Sequence, residues 1–210
     1  MKKNASQNAP FDDLLVVDIG GTIATGYAAK LYADYGARVV NVEPESGFAT
    51  RQVGPFLANG DSALHGYLHA NKEHVVEANS LLDHPAIAAA DLVLLDPNTL
   101  PSPLSVEDFN TNVCAISWFG LNGPYAQYQA TDQAIYALIG LMQGVGKPGE
   151  PPIIQTGYHA QILGGVSAFN GSLGYLFGQH DKTSAFLLDA SILEANLCLT
   201  ELGAIASFND

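Results

Sequence analysis

Two histidines, His65 and His69, stand four positions apart, a spacing that on a helix puts both imidazoles on one face, as in a zinc pair. The only third ligands nearby are Glu73 and His74, and no cysteine stands at metal-binding spacing, so packing or surface histidines and no metal are expected. Cys114 and Cys198 lie far apart inside apolar runs, which is the context of reduced, buried thiols rather than of a disulfide. A third constellation is Asp18-Ile19-Gly20-Gly21-Thr22, followed by Glu43. An Asp-x-Gly-Gly-Thr string forms a phosphate loop in sugar kinases, but there it joins two hairpin strands, whereas the residues after Thr22 recur at helical spacing. A dinucleotide fingerprint needs G-x-G-x-x-G with an acid about twenty positions later. Glu43 is well placed for that, yet glycines at 20, 21 and 26 miss the pattern.

The elements that must hold these residues alternate in type. Leu14–Ile19 is an apolar run closed by glycine, and Ile23, Tyr27, Leu31 and Tyr35 mark a helix that Gly36 ends. Tyr27, Tyr32 and Tyr35 suit a packed helix face or a ligand wall. Arg38–Glu43 is the next strand, stopped by Pro44, so residues 14–43 form a βαβ unit with a right-handed crossover. Residues 45–61 read as irregular. A short helix over His84–Ala90 leads to a strand at Leu92–Leu95, and Val113–Trp118 forms another strand. Helices are expected over Asp132–Gln143, Ile162–Phe177 and Ile192–Ala206, with a last strand at Leu187–Ser191. The expected fold is α/β, Rossmann-like and doubly wound, with a mainly parallel sheet flanked by helices. Ligands of such folds sit at the carboxyl ends of the strands, here near Gly20–Ala24, Glu43–Pro44, Asp96–Asn98 and Trp118–Gly120.

The 210 residues, 48% of them hydrophobic, suffice for one well-packed domain. Residues 1–12 read as a polar tail ahead of a domain over 13–210. Eight Lys and Arg against 21 Asp and Glu give a formal charge of −13, which argues against general nucleic-acid or anionic-membrane binding. No stretch has the length of a membrane span and the start lacks a secretory apolar core, so a cytoplasmic protein is expected.

Val16 to Pro44, with Ala24, Tyr27, Ala28, Leu31, Ala33, Asp34, Gly36, Ala37 and Val42-Glu43-Pro44 in register, resembles the opening unit of the class III CoA-transferases. That group includes formyl-CoA transferase, carnitine CoA-transferases and α-methylacyl-CoA racemase. The similarity continues through Thr50-Arg51, Gly54-Pro55-Phe56 and Leu68-His69-Ala70-Asn71-Lys72, the last on the family's "LNRNK". It extends through Ser117–Tyr125, Asp132–Met142 and Leu188–Ala195, in the family's order and over nearly the whole chain. The resemblance implies coenzyme A or acyl-CoA as ligand, with Ile23, Ala24, Asn71, Lys72, Asp96 and Asn98 at the nucleotide site. It also implies a homo-oligomer, or a catalytic CoA-transferase partner domain. The family's smaller second domain is expected to be absent.

The resemblance breaks at the chemistry. In the family's transferases an aspartate attacks the acyl-CoA thioester, expelling CoA thiolate and forming a mixed anhydride. Anchored on Pro151-Pro152 and Gly165, that position is Gln161, and no Asp or Glu lies between Glu150 and Asp181. An amide is neutral and a very poor nucleophile. The racemase branch's His-Asp pair is Thr131-Asp132 here, and a lone carboxylate cannot supply both acid and base. Asp132 is expected to cap or support the helix that follows it. The CoA site has thinned as well: Ala70 replaces an arginine and the Asp96–Pro101 loop has lost a basic residue. Lys72 is left either to pair with phosphate or to sit solvated at the surface. Ser191 belongs to a strand–helix junction and needs no chemical role, whereas His159, two residues before Gln161, is a candidate base. The expectation is a catalytically impaired class III domain acting as scaffold or CoA-binding half of a larger transferase. The alternatives are an active enzyme using His159 or Asp132, and an unrelated small-ligand module on a Rossmann-like scaffold.

Overall fold

The computed structural model describes residues 9–76, 81–147, 149–178 and 184–200. Six parallel strands form one sheet: β1 (Leu15–Asp18), β2 (Arg38–Glu43), β3 (Glu73–Val76), β4 (Leu92–Leu95), β5 (Val113–Ser117) and β6 (Leu187–Ser191). Their spatial order is β3-β2-β1-β4-β5-β6, the doubly wound order, with the direction of winding reversing between β1 and β4. The helices are α1 (Ile23–Asp34), α2 (Ala63–Leu68), α3 (Pro85–Ala88), α4 (Asp132–Leu138), α5 (His159–Gly178) and α6 (Ile192–Leu197).

The central strands are apolar on both faces because both faces are covered. Val16, Leu92, Leu94, Cys114 and Ile116 enter a core shared with α1, α4, α5 and α6. Their strand neighbours Val17, Val93, Leu95 and Ala115 enter a second core with Leu81, Ile87, Val106 and Phe109. Each such valine or leucine taken fully out of water contributes about 1.5–3 kcal/mol before entropy is counted. Helices α1 and α5 lie close enough that a Cβ on Gly165 would come 2.6 Å from the Ala24 carbonyl oxygen, so no larger residue fits there. Tyr32, fully buried, exchanges a 2.8 Å hydrogen bond with Ser172 of α5, and burial pushes its phenol up to about 12. The packed-face reading therefore holds for Tyr32, while Tyr35 is half exposed.

Several elements differ from the sequence expectation. Helix α4 ends at Leu138 rather than Gln143 because Gly140 adopts a left-handed conformation (φ 77°), after which Leu141–Gly144 forms a 3₁₀ turn. Helix α5 starts at His159, three residues before the expected Ile162. Helix α6 stops at Leu197 and a 3₁₀ turn covers Cys198–Thr200; the rest of the helix expected to reach Ala206 lies outside the described residues. Strand β3 was not expected at all. Cys114 is buried as expected, but Cys198 is exposed. Within the expected polar tail, Phe11 is buried and packs its ring on Tyr32, Tyr35 and Phe169.

Candidate functional site

The carboxyl ends of the strands gather the titratable side chains into two groups. At the corner where α4 meets the start of α5, Asp132 is buried and receives two hydrogen bonds from one residue. The Gln161 backbone N–H donates to Oδ1 at 3.1 Å and its side-chain amide donates to Oδ2 at 2.8 Å. Of the expectation for Asp132, the capping role falls: Thr131 is the cap, its hydroxyl accepting from the Ala134 N–H, while Asp132 stands as an acid in the first turn of α4 and also satisfies the first turn of α5. Both carboxylate oxygens of Asp132 are thus restrained by Gln161. His159 opens α5 and is exposed, and its side chain makes no hydrogen bond among the described residues.

The second group surrounds β1, β2 and β3. Asp18, at the end of β1, is fully buried, and its Oδ1 accepts from the Gly20 N–H at 3.1 Å. Among the described residues its Oδ2 has no hydrogen-bond partner, and it faces the Lys72 ammonium at 3.7 Å, with both side chains closed to solvent. The Lys72 ammonium also donates to the Gly26 carbonyl at 2.9 Å, so it is a buried counter-ion and not a solvated surface lysine. Burial raises the Asp18 carboxyl above its usual range. It also pulls the Lys72 ammonium down to about 8, against the attraction of Asp18.

Glu43, buried at the end of β2, is held by Arg51 through two bonds of 2.8 and 2.7 Å, by His74 Nδ1 at 2.7 Å and by the Phe48 N–H at 3.0 Å. Burial opposes ionisation, but these donors outweigh it and hold the carboxyl at about 2. His65 and His69 are both buried, so neither is a surface histidine. His65 Nδ1 pairs with the Thr50 hydroxyl at 2.9 Å, and His69 Nδ1 pairs with the Asn41 amide at the same distance. Burial, helped by Arg51 beside His65 and Lys72 beside His69, lowers the imidazoles to about 4 and about 2, so both are neutral at pH 7.

The remaining expected nucleotide-site residues fall on or near the same edge of the sheet. Asp96 is buried and caps a 3₁₀ turn at Pro97–Thr99, accepting from the Asn98 N–H at 2.9 Å and its amide at 3.1 Å, and burial raises its carboxyl above the usual range. A Cβ on Gly20 would come within 2.9 Å of the Asp96 backbone nitrogen, so the β1 and β4 ends close on each other here. Ile23 and Ala24 are buried at the start of α1, and exposed Asn71 takes a left-handed conformation (φ 64°) just before Lys72. Sequence reasoning overlooked the roles of Asp18, Arg51, Asn41 and Thr50. The one signal available was the placing of Arg51 eight residues after Glu43, on the loop that must fold back over the end of β2.

The strand order and helix layers define a doubly wound α/β domain, and comparison with known proteins gives its family. The model for CoA-transferase family III matches residues 11–77 and 112–209, and the chain belongs to that family. It is 28% identical to an acetyl-CoA:oxalate CoA-transferase of Acetobacter aceti over 94% of this chain and 54% of that protein. It is also 29% identical to a Thauera aromatica subunit of a succinyl-CoA:(R)-benzylsuccinate CoA-transferase, over 92% of this chain and 51% of that one. A Brucella suis CaiB/BaiF family protein of known structure shares the fold, with a TM-score of 0.83 at 23% identity over 97% of this chain and 58% of that one. The chain spans about half the length of the curated relatives it matches. No helix among the described residues is long and apolar enough to cross a membrane.

Proposed function

We propose that this chain is a CoA-facing large domain of the class III transferase type that does not transfer CoA by the aspartyl route, and that it serves as scaffold and ligand-binding half beside a catalytic domain or subunit. The observation carrying this reading is the Gln161–Asp132 pair. The position that resembles the family's nucleophile holds an amide, and that amide donates its hydrogen bond to the nearest carboxylate. The expectation of a CoA ligand is supported by the relatives, whose names describe CoA thioester chemistry, and that of a partner by the Thauera aromatica relative, which is named as a subunit.

The test is a titration of the chain with free CoA and acetyl-CoA, followed by intact-mass measurement after incubation with acetyl-CoA. The expected result is saturable CoA binding with no covalent adduct, and only slight transfer to carboxylate acceptors by Gln161→Asp. Robust transfer by the wild type or by that single variant would overturn the reading. A second reading has one observation in its favour: His159 is exposed on the first turn of α5, two residues from Gln161. It predicts transferase or racemase-type activity in the wild type that His159→Ala abolishes.

A further inference from the structure

We propose that Glu43, His65 and His74 form a binding site for a divalent transition-metal ion, with Zn²⁺ the best match to the donors. Three separate elements deliver these side chains to one place: the end of β2, the first turn of α2, and β3. Their ligating atoms all lie within 4.8 Å of one another. His74 Nδ1 and Glu43 Oε1 are already 2.7 Å apart. Two imidazoles and one carboxylate are a donor set that suits zinc and, with less preference, cobalt, nickel or copper. Zinc–ligand bonds of about 2.0–2.2 Å ask the side chains to close around the ion by small rotations only. The three protein ligands leave a fourth position for water.

The surroundings orient the donors and admit an ion. The Thr50 hydroxyl fixes the His65 ring at 2.9 Å, the kind of outer hydrogen bond that holds a metal-ligating imidazole in place. The His74 side chain is 37% exposed, so the cluster opens to solvent on that side. His69 is excluded as a ligand although its ring centroid lies 4.4 Å from that of His65. Its Nδ1 faces the Asn41 amide and the Lys72 ammonium, and its Nε2 faces the Thr50 hydroxyl. The pair at helical spacing is therefore not the chelate; His65 is joined instead by Glu43 from β2 and His74 from β3.

One group opposes the ion. The Arg51 guanidinium holds both oxygens of Glu43, and metal entry must displace it. That side chain is 44% exposed and can turn into water, so binding exchanges one cation on Glu43 for another. The exchange makes a specific demand: removal of Arg51 must strengthen metal binding, whereas removal of His74 must weaken it.

The experiment is calorimetric titration of the chelator-stripped chain with ZnCl₂, repeated with Co²⁺ while the visible bands of the bound ion are followed. Circular dichroism of each variant establishes that it is folded. The expected result is one equivalent of Zn²⁺ bound. His74→Ala should weaken it by more than about tenfold, the scale that loss of even an outer hydrogen bond reaches. Arg51→Gln should tighten it, and His159→Ala should leave it unchanged. Absence of saturable binding in both wild type and Arg51→Gln would overturn the proposal. So would zinc binding that His74→Ala leaves intact. His74→Ala alters an exposed edge strand and leaves the buried core residues unchanged.

Discussion

The two flanks of the sheet treat their buried carboxylates in opposite ways. On the β1–β2–β3 side, Asp18 and Glu43 each face a cation, Lys72 for one and Arg51 for the other. On the α4–α5 side, Asp132 faces the neutral amide of Gln161. The first flank concentrates ionisable groups, with three histidine rings within 6.0 Å of one another, whereas on the second Gln161 engages the carboxylate through hydrogen bonds. Gln161 is a structural partner, tying the first turn of a twenty-residue helix to the helix before it, and a substitution there must answer to Asp132.

The comparison can be broken hardest at Lys72. Removing one member of a buried ion pair leaves the other charge uncompensated, and Lys72→Met should cost about 3–5 kcal/mol. Asp18 must then accept a proton or remain charged with no cation near its Oδ2. In the double variant Asp18→Asn/Lys72→Met most of that loss should return, because neither buried charge remains. Urea unfolding of the wild type, both single variants and the double variant measures the coupling. A loss below about 1 kcal/mol for Lys72→Met would mean that the charged flank is held by packing and not by its ion pairs.

Acid distinguishes the flanks next. The Glu43 carboxyl sits at about 2 in the folded chain against an ordinary value of 4.5. A lowered folded value means that the unfolded chain binds more protons between those limits. The stabilisation is then fully present above pH 4.5 and is lost as pH falls toward 2. Glu43→Gln should be less stable than wild type at neutral pH, and the gap should narrow across that window. Denaturant midpoints taken at intervals of pH, in the presence of chelator, provide the check. A gap that stays constant with pH would show that the Arg51 and His74 contacts add no net preference for the ionised form.

How much of this was legible depended on how local each signal is. Strands β1, β2, β4 and β5 were visible because each is a short, mostly apolar run rich in Val, Leu, Ile, Cys or Ala, as burial on both faces requires. Strand β3 was invisible because Glu73-His74-Val75-Val76 is an exposed edge strand held to the sheet by β2 alone. With no buried face it has no apolar pattern to read. The start of α5 was missed for a different reason: the Gln161 N–H is satisfied by Asp132, 29 residues earlier, and such a long-range contact leaves no capping motif beside the helix. The resemblance supplied Gln161 and Asp132 as a place to look, but their direct contact is tertiary. Likewise helical spacing paired His65 with His69, whereas the fold sets His65 against Glu43 and His74, which arrive from two strands.

The smallest effect, and the most pointed one for the comparison, concerns Gln161 itself. Gln161→Leu keeps the side-chain bulk and removes the amide that donates to Asp132 Oδ2 at 2.8 Å. The backbone N–H to Oδ1 remains, so the cost should be that of one lost hydrogen bond to a buried acceptor, about 1–3 kcal/mol. Gln161→Asp should be destabilised as well, with a distinct pH signature. Two carboxyls forced together favour a shared proton, so the folded variant binds more protons than the unfolded chain above the ordinary carboxyl range. Its stability deficit must then grow as pH rises from about 4 to 7, while that of Gln161→Leu stays level. Thermal melts of both variants over that range decide the matter. If the two deficits run parallel, the introduced carboxyl has turned away from Asp132. The corner would then be open enough to accept a nucleophile, and the contrast between the two flanks would rest on one side chain and not on the fold.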